Sequence, residues 1–355
     1  MERLRAAFGK LHADAIVVTH PANILYLTGF TGSAALLLVA QDRAVLFTDS
    51  RHTLQAREEV CGARVNIAKH GLYRALGQAI RQIRRRGRVS LAYSPAQMTI
   101  AQKQLIDAET RGKARWVGAE NVVERMRAVK DADELSRMRD AAELTSRVFV
   151  ETLGFVRPGI RETELSAEIE FRMKRAGASG PSFETIVASG PRSAWPHARP
   201  TCKRLEKNEL VVLDQGAILR AYCSDMTRTV FLGRSPKRVR QMYRAVLEAQ
   251  QAAKDVIRPG VESETVDRAA RKLLESRGFA RYFTHSTGHG LGLEVHEVPR
   301  LGRGDRTPLE EGMVVTVEPG VYLDGLGGIR IEDDVVVTSS GAQDLTTASR
   351  EFLEI

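Results

Sequence analysis

The sequence has little cysteine, and its cysteines are scattered. Cys61, Cys202 and Cys223 are the only three in 355 residues, and none belongs to a Cys-x-x-Cys pair. An odd number of dispersed cysteines argues against a disulfide framework and against a thiolate metal site. We therefore expect a reducing compartment, the cytoplasm.

Long apolar runs are also missing. No run approaches the ~20 consecutive apolar residues that a membrane helix needs. The start of the chain, Met1-Glu2-Arg3, does not begin a secretory signal. We expect no membrane partner and, again, a cytoplasmic location.

Positive charge is in excess, with a formal net charge of +9 at pH 7 and the densest basic cluster at residues 81–88. Nucleic-acid binding would call for interleaved aromatic residues or a recognisable binding module, and the cluster has neither. Because basic residues are spread over the whole chain, we interpret the cluster as a solvated helix end. No nucleic-acid partner is expected.

The length predicts two domains, because 355 residues exceed what one hydrophobic core usually organises. The first part alternates short apolar runs with a helical pattern, which predicts a mixed sheet covered by helices. The predicted strands are 15–19, 35–39, 44–48 and 89–92, and the predicted helix is 74–85. We place the first domain at residues 1–125 and the second at 126–355.

The second part carries a recurring pattern. Asp131, with Glu134 three residues on, is a plausible cap for a long amphipathic helix. An Arg-Pro-Gly motif occurs at 157–159 and again at 258–260, each time between two helical patterns. The recurrence predicts two related helix–turn–helix halves packed on one sheet.

Five potential metal ligands stand in apolar or glycine-bounded segments, where solvated side chains are not expected. They are Asp214, Asp225, His289, Glu318 and Glu332. Burying an unpaired carboxylate costs several kcal/mol, so such positions indicate a metal or a fixed cation. Four carboxylates and an imidazole suit two divalent cations ~3.5–4 Å apart, as in two-metal hydrolysis. Asp333 and Asp334, which follow, are interpreted as a loop carboxylate and a turn former.

The segments around these residues resemble the pita-bread metallopeptidases, which include methionine aminopeptidase, aminopeptidase P and prolidase. The resemblance covers roughly residues 135–340, and its segments are 213–217, 224–229, 288–293, 295–297, 317–320 and 330–333, with a further element from 186 to 197. It implies an α+β protein, in which a creatinase-like amino-terminal α/β domain precedes a pseudo-symmetric pita-bread catalytic domain.

The resemblance also implies roles for the five candidate ligands. Asp214 would be a terminal ligand of one ion, and Asp225 and Glu332 would bridge both ions. His289 and Glu318 would bind the second ion. A water or hydroxide held between the ions would be the nucleophile. Oxygen-rich ligation favours Mn²⁺, with Co²⁺ and Zn²⁺ as alternatives.

Further catalytic and substrate-binding roles follow from the same resemblance. His197 and His296 would hydrogen-bond the substrate and stabilise the developing oxyanion. Glu318 would pass a proton to the leaving amine. Arg300 would reach a substrate carboxylate or else form a surface salt bridge, and Arg330 would bind substrate or pair with a ligand carboxylate.

The implied activity is a metal-dependent exopeptidase that acts on peptides with proline in the second position. Segments 26–33 and 48–56 resemble the amino-terminal domain of aminopeptidase P, so the prediction leans to an Xaa-Pro aminopeptidase. An Xaa-Pro dipeptidase (prolidase) is the alternative, because the catalytic segments fit it equally well. A catalytically inactive or creatinase-like relative is disfavoured by the intact ligand positions, and methionine aminopeptidase by the amino-terminal domain. The family also implies a homodimer.

Overall fold

Two separate cores organise the chain in the computed structural model, which describes residues 1–83 and 87–355. One unit comprises Met1–Arg127 and the other Ala128–Ile355. The helix end predicted within the basic cluster falls on residues 84–86 and so lies outside the described residues. None of the helices in the described ranges is long and apolar enough to cross a membrane.

The first unit is built on a mixed sheet, as predicted, with strand order β4-β3-β2-β1-β5-β6. Its strands are β1 (Ala15–Val18), β2 (Ala35–Ala40), β3 (Ala44–Thr48), β4 (Arg64–Ile67), β5 (Val89–Tyr93) and β6 (Ala114–Gly118). Its helices are α1 (Glu2–Ala6), α2 (Phe8–Leu11), α3 (Pro21–Thr28), α4 (Thr53–Glu59), α5 (Leu72–Arg81), α6 (Ile100–Thr110) and α7 (Val122–Ala128).

Strand β2 shows why this sheet has helices on both faces. Its side chains alternate between faces, so Leu37 and Val39 join one apolar cluster while Leu36 and Leu38 join another. A strand that is apolar at successive positions is stable only if both faces are covered. The uninterrupted apolar runs of the sequence therefore encode a buried central strand.

The second unit contains two larger antiparallel sheets, ordered β12-β9-β8 and β14-β13-β15-β18-β19, and two smaller ones, β11-β10-β7 and β16-β17. The strands are β7 (Gly180–Pro181), β8 (Ile186–Ser189), β9 (Glu209–Gln215), β10 (Ala217–Leu219), β11 (Tyr222–Cys223), β12 (Met226–Leu232), β13 (Gly288–Gly290), β14 (Glu297–Leu301), β15 (Val314–Val317), β16 (Gly320–Leu323), β17 (Gly327–Arg330), β18 (Asp333–Thr338) and β19 (Gly341–Asp344).

Two helix pairs repeat in this unit, which confirms the predicted halves. They are α8 (Ala132–Thr152) with α9 (Glu162–Arg175), and α10 (Lys237–Asp255) with α11 (Ser263–Ser276). The first pair shares an apolar cluster with β8, β9 and β12, and the second pair with β15 and β18. The prediction of one common sheet is wrong, because these strands form two separate hydrogen-bonded sheets. The cluster of the second pair nevertheless also contains Leu210 of β9 and Phe231 of β12. Asp131 and Glu134 form the reciprocal cap predicted for α8.

Candidate metal centre

Strand ends of the second unit bring all five candidate ligands to one cavity of about 430 Å³. Asp214 lies near the end of β9, and Asp225 stands just before its partner β12. Glu318 and Glu332 flank the paired ends of β15 and β18, where Val317 opposes Asp333. Each antiparallel pair therefore delivers two carboxylates to the same place, and His289 joins them from β13.

The glycines beside His289 are required by close backbone packing. A Cβ atom on Gly288 would lie 1.9 Å from the carbonyl oxygen of Thr316, and one on Gly290 would lie 2.3 Å from that of Val298. Only glycine allows such an approach between strands. The Gly-His-Gly motif thus fixes the main chain from which the His289 ring enters the cavity.

The spacing of the ligand atoms fits a bound cation better than a hydrogen-bonded cluster. Asp225, His289 and Glu332 each offer an atom within 4.8 Å of the others. His289 Nε2 lies 3.8 Å from Asp225 Oδ2 and 3.6 Å from Glu318 Oε1. These distances are too long for hydrogen bonds, but two donors that each lie about 2.0–2.2 Å from one ion are spaced in this way.

The electrostatics of the cavity also fit a cation. Burial raises the pKa of Asp225 and of Glu332 well above the ordinary value, and the charges of neighbouring carboxylates raise both further. Burial raises the pKa of Glu318 to about 8 and lowers that of His289 to about 4. One oxygen of Asp214, Oδ1, is buried and has no hydrogen-bond partner among the described residues. A positive charge placed between these groups would offset their repulsion.

Arg330 holds two of the carboxylates in place. Its Nη2 donates to Asp214 Oδ2 at 2.5 Å, and its Nε donates to Thr227 Oγ1 at 2.9 Å. The Thr227 hydroxyl in turn donates to Glu332 Oε2 at 2.6 Å. Arg330 is only 3% exposed although it lines the cavity. Its N–H groups therefore donate mainly to protein atoms. This agrees with the second of the two roles predicted for Arg330, pairing with a ligand carboxylate.

Three other predicted residues line the same cavity: His197, His296 and Arg300. All three are exposed, and the His296 ring lies 4.3 Å from the His289 ring. Burial, and then the charge of His197, lowers the pKa of His296, so this ring is neutral near pH 7. Arg300 donates to the carbonyl of Arg303, and its main-chain N–H donates to Asp305 Oδ2 at 2.9 Å. Its charge acts on the Asp305 carboxylate, but among the described residues no carboxylate lies within 4.0 Å of its guanidinium.

Sequence reasoning missed two residues of the cavity region. His285 lines the cavity, and its Nε2 lies 2.8 Å from the Tyr322 hydroxyl, which also accepts a hydrogen bond from Arg330. Burial lowers the pKa of His285 to about 4. A signal existed for each: His285 stands four residues before His289, and Tyr322 alternates with Gly320 on β16.

Asp333 and Asp334 correct an interpretation made from sequence. Neither is a loop or turn residue, because both begin β18 and both are buried. Asp334 Oδ2 accepts the main-chain N–H of Asp225 at 3.0 Å, and Asp333 pairs with Arg228 at 2.8 Å. Two consecutive carboxylates resembled a turn, but each has a separate buried partner that sequence spacing could not reveal.

Comparison with known proteins assigns the fold. The model of metallopeptidase family M24 matches residues 136–339, and that of the creatinase/prolidase N-terminal domain matches residues 1–129. The chain belongs to metallopeptidase family M24. As an M24 protein it is a hydrolase with a creatinase-type amino-terminal domain and a pita-bread catalytic domain, which confirms the fold class predicted from sequence.

Similar proteins cover the whole M24 chain. An Xaa-Pro dipeptidase of Pyrococcus furiosus is 34% identical over 99% of this chain and 99% of its own. The structure of an Xaa-Pro dipeptidase from Bacillus anthracis has a TM-score of 0.95 at 36% identity, covering 100% of this chain and 98% of its own. That of an X-Pro aminopeptidase from Thermotoga maritima has a TM-score of 0.90 at 35% identity, covering 99% and 100% respectively.

Proposed function

We propose that this M24 hydrolase is an Xaa-Pro dipeptidase that binds two divalent cations, Mn²⁺ being favoured by the oxygen-rich ligands. The observation that carries the proposal is Arg300, an exposed guanidinium on the cavity wall that has no carboxylate within 4.0 Å among the described residues and can therefore bind one from a substrate. A dipeptide presents a free carboxylate one residue after the scissile bond, whereas a longer peptide presents an amide there. Charge-assisted pairing with Arg300 would favour the dipeptide.

The amino-terminal domain does not favour an aminopeptidase over a dipeptidase. The preference for an aminopeptidase predicted from sequence rested on segments 26–33 and 48–56 of the amino-terminal domain. The domain model that matches residues 1–129 is described for creatinase and prolidase, and the Pyrococcus dipeptidase aligns over nearly the full length. An amino-terminal domain of this type is therefore compatible with dipeptidase activity. The aminopeptidase remains the second candidate, supported by the Thermotoga relative.

Five residues would hold the cations in this proposal: Asp214, Asp225, His289, Glu318 and Glu332. When bound, two divalent cations supply an activated water and polarise the scissile carbonyl. Arg330 orients the Asp214 carboxylate through the 2.5 Å contact, so that its other oxygen can face a cation.

The remaining side chains would act on the substrate. His197 and His296, exposed on the cavity, can each donate an N–H to the substrate carbonyl as negative charge develops on it. The Glu318 side chain is 18% exposed, against 7% for Asp225. It is therefore the more accessible carboxylate and the better placed to carry a proton to the leaving amine. The prolyl nitrogen must gain a proton as the C–N bond breaks in order to leave as a neutral amine, and Glu318 would supply it.

The test compares substrates that differ only in the terminal carboxylate: Ala-Pro, its C-terminal amide and Ala-Pro-Ala, each with Mn²⁺. The proposal predicts that Ala-Pro is cleaved with the highest kcat/KM. Arg300→Ala should lower kcat/KM for Ala-Pro about tenfold to hundredfold, the scale of one charge-assisted hydrogen bond, with little effect on the amide.

Arg303→Ala is the matched control, because Arg303 is exposed nearby and does not line the cavity. It should retain the parent's preference. If Ala-Pro-Ala is cleaved as fast as Ala-Pro or faster, the enzyme is an aminopeptidase and Arg300 has no role in substrate length.

A further inference from the structure

A buried carboxylate outside the metal centre, Glu162, gathers five hydrogen-bond donors. It is the first residue of α9 and is 0% exposed. Its Oε1 accepts the main-chain N–H and the hydroxyl of Ser189, both at 2.9 Å. Its Oε2 accepts the N–H and the hydroxyl of Thr201, at 3.0 and 2.7 Å, and Nε of Arg192 at 3.2 Å. A buried carboxylate whose two oxygens both accept hydrogen bonds rigidifies the groups that donate to it.

The groups bound by Glu162 bracket residues 190–200, which we call the His197 segment. Ser189 precedes this segment and Thr201 follows it, so a single carboxylate fixes both of its ends. Inside it, Arg192 also donates from Nη2 to the carbonyl of Arg199 at 2.6 Å. The segment carries His197 to the cavity wall, whereas Glu162 is not among the residues that line the cavity.

The other half of the catalytic unit repeats this arrangement. Asp267, 1% exposed on α11, accepts the N–H of Thr287 at 3.1 Å and its hydroxyl at 2.9 Å. Thr287 stands two residues before His289, as Ser189 stands at the start of the His197 segment. In each half, a carboxylate on the second helix of the pair, α9 or α11, therefore accepts hydrogen bonds from one residue's main-chain N–H and hydroxyl. That residue leads into a segment that lines the cavity.

We infer that Glu162 is a positioning residue for catalysis: it fixes His197 on the substrate side of the cavity and takes no part in metal binding. The inference rests on the proposed function, since it requires His197 to contact the substrate. Side chains that act on a transition state must themselves be held by a supporting set of hydrogen bonds. All five donors on Glu162 come from the His197 segment or the residues that bracket it.

A double-mutant cycle tests whether Glu162 acts through His197. Glu162→Gln should lower kcat about tenfold to hundredfold, since small displacements of a catalytic group have effects of this size. In a His197→Ala background the same change should cost nothing further, because the group it positions is already gone. Calorimetric titration of Glu162→Gln with Mn²⁺ should match that of the parent.

Glu164→Gln is the matched control. Glu164 lies on the same helical turn, its side chain is 50% exposed, and it accepts only the Arg161 N–H, at 2.8 Å, among the hydrogen bonds of the described residues. The same chemical change at this position should leave kcat and metal binding unchanged. An equal loss of kcat in Glu164→Gln would contradict a specific role for Glu162.

Thr201→Val provides a second, milder variant in case Glu162→Gln does not fold. It removes one hydroxyl donor to Glu162 and keeps the main-chain N–H, so we expect about a fivefold loss of kcat, the scale of one hydrogen bond. This loss too should vanish in the His197→Ala background. The inference would be overturned if either substitution lowered kcat further in the His197→Ala background. It would also be overturned if both folded variants had the kcat of the parent, or if Glu162→Gln bound Mn²⁺ more weakly. The cycle uses whichever Xaa-Pro peptide the parent cleaves fastest, so a preference for longer peptides would revise only the proposed function.

Discussion

Glu332 and Asp333 are neighbours in the chain and almost equally buried, at 2% and 0% exposure, yet their surroundings are opposite. Burial raises the pKa of Glu332, and the charges of Glu318 and Asp214 raise it further. Burial also opposes ionisation of Asp333, but Arg228, Arg350 and Lys254 outweigh it and hold the pKa of Asp333 below the ordinary value. One carboxylate faces other carboxylates, and the next faces three cations.

Burial alone therefore does not identify a metal ligand. Asp333 has its counter-charges within the protein: Arg228 Nη2 lies 2.8 Å from Oδ1 and Lys254 Nζ lies 3.7 Å from Oδ2. It is a structural ion-pair site. The Glu332 side chain stands among carboxylates, with only the charge of Arg330 opposing them, because Arg228 donates to the main-chain carbonyl of Glu332. Its remaining counter-charge would have to be brought in by cations. Substitutions at the two positions should therefore have different consequences.

The largest expected effect is on hydrolysis. Glu332→Gln or Asp225→Asn should abolish measurable Xaa-Pro cleavage, because each removes a ligand proposed to be shared by both ions. The metal-free Glu332→Gln protein should unfold at the same denaturant concentration as the metal-free parent or at a higher one. This follows because a carboxyl whose pKa is raised on folding opposes folding at neutral pH. A clear loss of stability in the metal-free variant would show that Glu332 is structural.

At Asp333 we expect a substitution to lower the stability of the fold. Asp333→Asn should lower the free energy of unfolding by about 3–5 kcal/mol, the usual cost of removing one partner from a buried ion pair. The loss should appear with or without metal, since Arg228 and Lys254 remain buried in both cases. Denaturant titrations of both forms provide the measurement. A parent-like unfolding midpoint would remove the contrast between the two carboxylates.

The next effect, a loss of kcat without loss of metal, distinguishes His197 and His296 from the proposed metal ligand His289. His197→Ala and His296→Ala should lower kcat by about 10²–10³, the scale of losing one oxyanion donor, without changing metal content. Steady-state kinetics combined with metal analysis of the purified variants tests this. If either variant is as active as the parent, that histidine is structural, and loss of metal would assign it to the ligand set.

A smaller effect is expected at Asp267, on the metal side of the repeated arrangement. Asp267→Asn weakens the hold on Thr287, whose carbonyl accepts the N–H of Glu318 at 2.7 Å. Both His289 and Glu318 are then less well placed, so Mn²⁺ affinity should fall about tenfold, the lower end of the range for indirect partners of metal ligands. Glu164→Gln serves again as the unaffected reference. Unchanged affinity would restrict Asp267 to a role in folding.

The sequence predicted what depends on local pattern. Apolar runs located four of the six strands of the first sheet, but not β4 and β6, which are less apolar. The repeated Arg-Pro-Gly motif located the two halves, and glycines around His289 marked a close strand approach. Contacts between distant residues were not predictable in the same way. His285 lines the cavity and contacts Tyr322, 37 positions further along the chain. Glu162 accepts hydrogen bonds from residues up to 39 positions away. Nothing in the spacing of the chain records which side chains meet across a sheet, so these partners became visible only with the fold.

Calorimetric titration of the metal-free protein with Mn²⁺ counts the ions that the five proposed ligands hold. We expect two ions per chain in the parent and in Asp333→Asn, and at most one in Asp225→Asn and Glu332→Gln. Two-ion binding that is unchanged in both ligand variants, or no binding by the parent, would contradict this expectation.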